Sequence, residues 1–186
     1  MKKLCVFLSA NSTKAIYTTA AKQLANIISQ EQMTLIYGGA QVGLMGILAD
    51  TVLENKGQVI GVFPDSLASN EIIHPGLTTL IKVNTMSERK TPMANMADSF
   101  IVMPGGLGTL EEFLEVWNAK KIGQHNKPIG VLNTNGYFDK FLEFMQTAEK
   151  EQFVNTNQNN LITVSDSPEE LIKKMRGDTP HAGFRL

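Results

Sequence analysis

The sequence predicts a three-layer α/β domain, with a mostly parallel sheet covered by helices on both faces. Three observations lead there. Short apolar runs alternate with segments of helical period along the chain. The runs are almost continuously apolar, as strands buried on both faces must be. The glycine-rich and polar loops follow the strands, at the edge where open α/β sheets bind their ligands.

In chain order, strands are expected at 4–9 (LCVFLS), 34–38 (TLIYG), 58–63 (QVIGVF), 78–83 (TTLIKV), 99–103 (SFIVM), 128–133 (PIGVLN) and 161–165 (LITVS). Helices are expected at 14–30, 43–56, 107–122, 137–150 and 168–176. The last has the best start signal. Ser167 reads as its cap and Pro168 as its first residue, and Glu169 and Glu170 sit near the positive end of the dipole. Pro92 cannot sit deep in a helix. Either Thr91 caps a segment beginning at Pro92, or a longer helix kinks there.

The chain has 186 residues, and 17 basic against 18 acidic side chains leave a formal charge of −1. One domain with one core suits that length, over residues 1–178, with a frayed tail at 179–186. Near-neutral charge argues against binding to nucleic acid or a membrane surface by bulk electrostatics, so any anion site must be local. The single cysteine, Cys5, lies in the first apolar run and reads as a buried, inert thiol. No apolar run has the length of a membrane span. The opening MKKLCVFLSANS reads as a first strand rather than a secretory leader, because its apolar run is short and polar residues follow. A cytoplasmic protein is expected. His74, His125 and His181 are scattered without metal-ligand spacing, so no metal is expected.

Five loops fall on the expected ligand edge: SANST, GGAQVGLMG, PDSLASNEIIHPG, NTMSERK and PGGLGT. The last opens directly onto LEEFLEVW. Gly105, Gly106 and Gly108 permit positive φ and close approach of the backbone to a ligand. A helix start with free N–H groups binds anions, Thr109 adds a hydroxyl, and a phosphate fits. The competing reading is local: Thr109-x-x-Glu112 has the spacing of a capping box, with Glu112 turned back to a backbone N–H. Three glycines in four residues exceed what a cap requires. The loop is neither GxGxxG nor GxxxxGK[ST], which disfavours a dehydrogenase or an ATPase. Gly38 and Gly39 read as a tight strand-to-helix turn, while Gly43 and Gly46 bring a helix close to the sheet. Arg89 and Lys90 follow the fourth strand at the ligand edge, the first a planar fork and the second a mobile point charge. Met86, Met93 and Met96 read as core or dimer packing, and Asp98 as a turn residue. Glu71, in a polar loop, reads by itself as a solvated carboxylate.

TMSERK followed by MPGGLGTLEE resembles the LOG (Lonely Guy) family of cytokinin riboside 5′-monophosphate phosphoribohydrolases, whose hallmarks are an RK pair and PGGxGTxxE. Pro104, Gly105, Gly106, Gly108, Thr109 and Glu112 meet every fixed position of the second. The resemblance extends through YGGAQVGLMG, QVIGVFPDSL, HPGLTTL and KPIGVLNTNGYFD, over most of residues 1–165. It implies a Rossmann-like fold and hydrolysis of the N-glycosidic bond of a nucleoside 5′-monophosphate, AMP included, to free base and ribose 5-phosphate. It implies Arg89 and Glu112 as the catalytic pair, and Glu71, Lys90 and Gly105 to Glu111 as substrate-binding positions. It implies a homodimer with its sites near the subunit interface, and no cofactor. Many members carry the label lysine decarboxylase, but nothing in this sequence addresses a pyridoxal cofactor. Three departures bear on the base or the dimer surface: SANST in place of a glycine-serine pair, Ala40 in place of a third glycine, and WNAKKIGQHNKP after Val116 with Lys121 in place of a glutamine.

On that resemblance, a carboxylate at Glu112 stabilises an oxocarbenium-like ribose or orients water, while the glycine loop holds the 5′-phosphate. Arg89, with a pKa above ~12, clamps substrate or stabilises charge rather than donating a proton. The donor to the leaving base stays open between Glu71, a water and Glu112. The alternative class is a non-catalytic nucleotide or cofactor carrier on the same fold.

Overall fold

A computed structural model describes residues 1–11, 14–67 and 72–177. Seven strands form one sheet in which every pairing is parallel: β1 (Lys3–Phe7), β2 (Thr34–Tyr37), β3 (Gln58–Pro64), β4 (Thr79–Val83), β5 (Ser99–Val102), β6 (Ile129–Leu132) and β7 (Thr163–Ser165). All seven expected strands are present. The spatial order is β4-β3-β2-β1-β5-β6-β7. It reverses between β1 and β5, and the crevice at such a reversal is where doubly wound sheets bind ligands.

The helices are α1 (Ala15–Gln30), α2 (Gly43–Glu54), α3 (Met86–Met96), α4 (Leu107–Lys121), α5 (Asp139–Lys150), the short α6 (Thr156–Asn159) and α7 (Pro168–Arg176). Strand residues alternate between two cores. Leu4 and Val6 of β1 join Leu24 and Ile28 of α1, Leu48 of α2 and Leu171 of α7 on one face. Cys5 and Phe7 join Met93 of α3, Phe113 and Trp117 of α4 and Leu142 of α5 on the other. This is the period-two alternation of a strand covered on both sides. Only β4, at the sheet edge, keeps a largely exposed pattern.

Two local expectations change. α3 begins at Met86, with Thr85 as its cap: the Thr85 side chain accepts from the Glu88 amide at 3.2 Å. The Glu88 carboxylate reaches back and accepts from the Asn84 amide at 3.0 Å. Thr91 therefore caps nothing, and of the two expected readings the longer helix is the one that forms, with Pro92 inside it. Thr85-x-x-Glu88 is a start signal of the capping-box type, and it outweighs the proline's missing donor. The second change concerns α4, whose cap position is Gly106 and which has no side-chain cap. Thr109 is the third helical residue, so the Thr109–Glu112 capping box does not form. At α7, Ser167 accepts from the Glu170 amide at 3.4 Å, as expected. Asp98 holds the start of β1, accepting from the amides of Lys2 at 2.7 Å and Lys3 at 2.9 Å. Those bonds pull its carboxyl below the ordinary range. Glu71, His181 and the tail lie outside the described residues.

Candidate active site

A cleft of about 200 Å³ opens at the β1/β5 crevice. Ser9, Ala10 and Asn11 after β1, Met86 and Arg89 of α3, and Gly106 to Thr109 and Glu112 of α4 line it, with Gly38 after β2. Segments 17 or more residues apart in sequence thus converge, because β2, β1 and β5 lie side by side and α3 reaches back to them.

The glycine loop uses its glycines for space rather than for unusual dihedrals. None of Gly105, Gly106 and Gly108 has positive φ. A Cβ on Gly105 would collide with the Thr109 side chain, whereas Gly106 and Gly108 face open space. The first helical bond of α4 runs from the Leu110 amide to the Gly106 carbonyl at 3.0 Å. The amides before it, Leu107 to Thr109, sit at the positive end of the dipole, on the cleft. An anion is the ligand such a helix start takes.

Glu112 lies one turn further along α4, about 6 Å up the axis from Gly108. It is 7% exposed, and its Oε1 accepts from Arg89 Nη2 at 2.5 Å. Arg89 is 8% exposed, and its buried Nε has no partner among the described residues. Room for this guanidinium comes from Gly38, where a Cβ would stand 2.9 Å from Arg89 Nη1 and 2.6 Å from Met45 Cε. Burial raises the Glu112 carboxyl above the usual carboxylate range, against the opposing pull of Arg89. The buried Cys5 thiol, near the pair, is pushed up chiefly by burial too.

Lys90 points elsewhere. Its ammonium binds Glu111 at 2.9 Å and Glu115 at 2.5 Å, and these partners raise its pKa. This cluster lies beside the cleft, and neither Lys90 nor Glu111 lines it. The expected residues therefore separate into a lining set (Arg89, Gly106, Gly108, Thr109, Glu112), a supporting glycine (Gly105) and an adjacent ion cluster (Lys90, Glu111).

Three contributors had no individual role in the sequence, although Leu107 lies within the Gly105 to Glu111 segment. Met86, read as packing, is 38% exposed at the cleft. Leu107 is 88% exposed beside it, and a leucine between two loop glycines gave no sign of that. Gly38, read as a turn residue, makes space for Arg89. The second glycine loop does pack closely as expected: a Cβ on Gly43, which has φ +54°, would strike the Ala10 carbonyl. His74 is structural, its Nδ1 accepting from the Gly76 amide at 3.0 Å and its Nε2 meeting Asp50 at 2.9 Å. No helix among the described residues is long and apolar enough to cross a membrane.

Comparison with known proteins places this cleft in context. The sequence profile of a family described as "Possible lysine decarboxylase" matches residues 45–175. Cytokinin riboside 5′-monophosphate phosphoribohydrolase LOG2 of Arabidopsis thaliana is 38% identical over 96% of this chain and 84% of its own. The probable cytokinin riboside 5′-monophosphate phosphoribohydrolase LOGL6 of Oryza sativa subsp. japonica is 37% identical over 96% and 72%. Among solved structures, the molybdenum cofactor binding protein of Rippkaea orientalis superposes with a TM-score of 0.72 at 22% identity, over 95% of this chain and 96% of that one. The molybdenum cofactor carrier protein of Chlamydomonas reinhardtii gives 0.68 at 19% identity, over 94% and 98%. At such identities these two structures share the fold.

Proposed function

The chain belongs to the LOG family of phosphoribohydrolases, and from that membership we propose that it hydrolyses the N-glycosidic bond of a purine nucleoside 5′-monophosphate such as AMP or isopentenyl-AMP. Free base and ribose 5-phosphate are the products. The observation that carries the reading at residue level is the buried Arg89–Glu112 pair, one helical turn from the open helix start in the same cleft.

The 5′-phosphate binds the α4 start, where Gly106 and Gly108 admit it and Thr109 offers its hydroxyl. This fixes the ribose beside Glu112, so binding energy remote from the scissile bond serves positioning. As the bond to the base lengthens, positive charge grows on the sugar, and the Glu112 carboxylate stabilises it or orients the attacking water. Arg89 keeps that carboxylate aimed. Met86 and Leu107 offer apolar surface to the base. Lys90 and Glu111 act from the rim, and Glu71 completes the substrate-binding set. The enzyme works as a cytoplasmic homodimer without a cofactor.

The test is incubation with AMP and with isopentenyl-AMP, resolving base and ribose 5-phosphate by chromatography, for wild type and Glu112→Gln. Wild type releases base. A folded Glu112→Gln loses about 10²- to 10⁴-fold in rate, the usual worth of a general acid–base group. Binding of AMP without release of adenine by wild type would instead identify a carrier.

A further inference from the structure

The phosphate loop has a support that lies outside the cleft. Tyr137 follows the turn after β6, and its Oη donates to the Gly105 carbonyl at 2.8 Å. One peptide earlier, the Pro104 carbonyl accepts from the Ser9 amide at 3.3 Å. The carbonyls preceding the Gly105 and Gly106 amides are therefore both occupied. A trans peptide directs its C=O and N–H to opposite sides. With the Gly105 oxygen turned to Tyr137, the Gly106 N–H turns the other way, and Gly106 lines the cleft while Tyr137 does not.

A Gly–Gly peptide is the least able to hold such an orientation by itself, because neither residue has a Cβ to restrict rotation. Turned over, it would present a carbonyl oxygen to an anion. The anchor that prevents this is held in place by its neighbours. Tyr17 of α1 meets the Tyr137 ring edge-on at 5.8 Å. Below it, Asn133 accepts from the Phe138 amide and donates to Asp139, both at 2.7 Å. The Asn133 amide in turn donates to the Ser165 carbonyl of β7 at 2.8 Å.

We propose that Tyr137 is a positioning residue for anion binding: its hydroxyl holds the Gly105–Gly106 peptide with the N–H toward the cleft. The inference rests on the reading of that cleft as a phosphoribosyl site. Tyr137→Phe tests it, since the ring contact with Tyr17 is kept and only the hydroxyl is lost. Ribose 5-phosphate is titrated calorimetrically into wild type and variant, and kcat and KM are measured for AMP. Loss of one such bond predicts roughly five- to tenfold weaker ribose 5-phosphate binding and a matching rise in KM. kcat and melting temperature stay near wild type. Tyr17→Phe, which removes a hydroxyl from the same ring pair but not from the loop, leaves all four unchanged. Wild-type affinity and KM in Tyr137→Phe would overturn the inference and leave the hydrolase standing. So would a loss of kcat at unchanged affinity. A wild type that neither binds ribose 5-phosphate nor cleaves AMP would remove the hydrolase reading, and the inference with it.

Discussion

Glu112 concentrates the residue-scale physics. Burial raises its carboxyl above the ordinary range although Arg89 pulls the other way. The folded protein therefore holds this proton more tightly than the unfolded chain does. The resulting contribution to stability is complete below the unfolded carboxylate's pKa and is lost as pH rises through the folded value. Glu112→Gln has no proton to lose. The melting temperature of the variant minus that of wild type should therefore rise from acid toward neutral pH. A difference that stays flat across that window would show that the carboxyl is not perturbed. The same shift places the acid limb of wild-type activity above the ordinary carboxylate range, if the ionised form is the one that works.

At the scale of elements, two helix starts decide where the site residues stand. α3 depends on Thr85 and Glu88 for its start, and Arg89 is the next residue. Thr85→Ala should cost about 1 kcal/mol of stability, measured by denaturant unfolding. Activity should fall with it, because the first turn of α3 carries Arg89; an unchanged denaturation midpoint would mean that Glu88 and packing hold the helix alone. α4 is the opposite case. Its start has no side-chain cap, and no side chain among the described residues takes its first amides. This helix was legible in its extent, from 107 onward, but not in its cap. Thr109 and Glu112 have capping-box spacing, and spacing along one helix cannot reveal that Arg89, 23 residues earlier, takes the carboxylate.

At the scale of the whole molecule, α4 also carries exposed apolar side chains along its outer surface. Leu114 of α4 is 44% exposed, Ile122 at its C-terminal cap 58%, and Phe144 of α5 63%. These support the proposed homodimer through the α4–α5 side of the sheet, since apolar surface of this extent gains by leaving water. Light scattering on wild type should give twice the chain mass, and Leu114→Lys with Phe144→Lys should halve it. A wild type that is monomeric at all concentrations would send the search for a role of this surface elsewhere.

The sequence by itself determined the alternation of strands and helices, and hence the parallel sheet, because both periods are written in neighbouring residues. It also marked the glycine loop and the basic pair, since few other residue types do those jobs. Tertiary structure alone decided how these pieces meet. Strand order puts the loop after β1 beside the loop after β5, and α3 crosses to bring Arg89 against Glu112. The same packing sends Lys90 to Glu111 and Glu115, away from the cleft lining. Gly38 shows the difference in one residue: its place in a turn is readable from its neighbours, but the guanidinium that needs its missing side chain arrives from another part of the chain. Local sequence encodes conformation through backbone and side-chain propensity, whereas burial and charge pairing depend on partners that only the folded chain supplies.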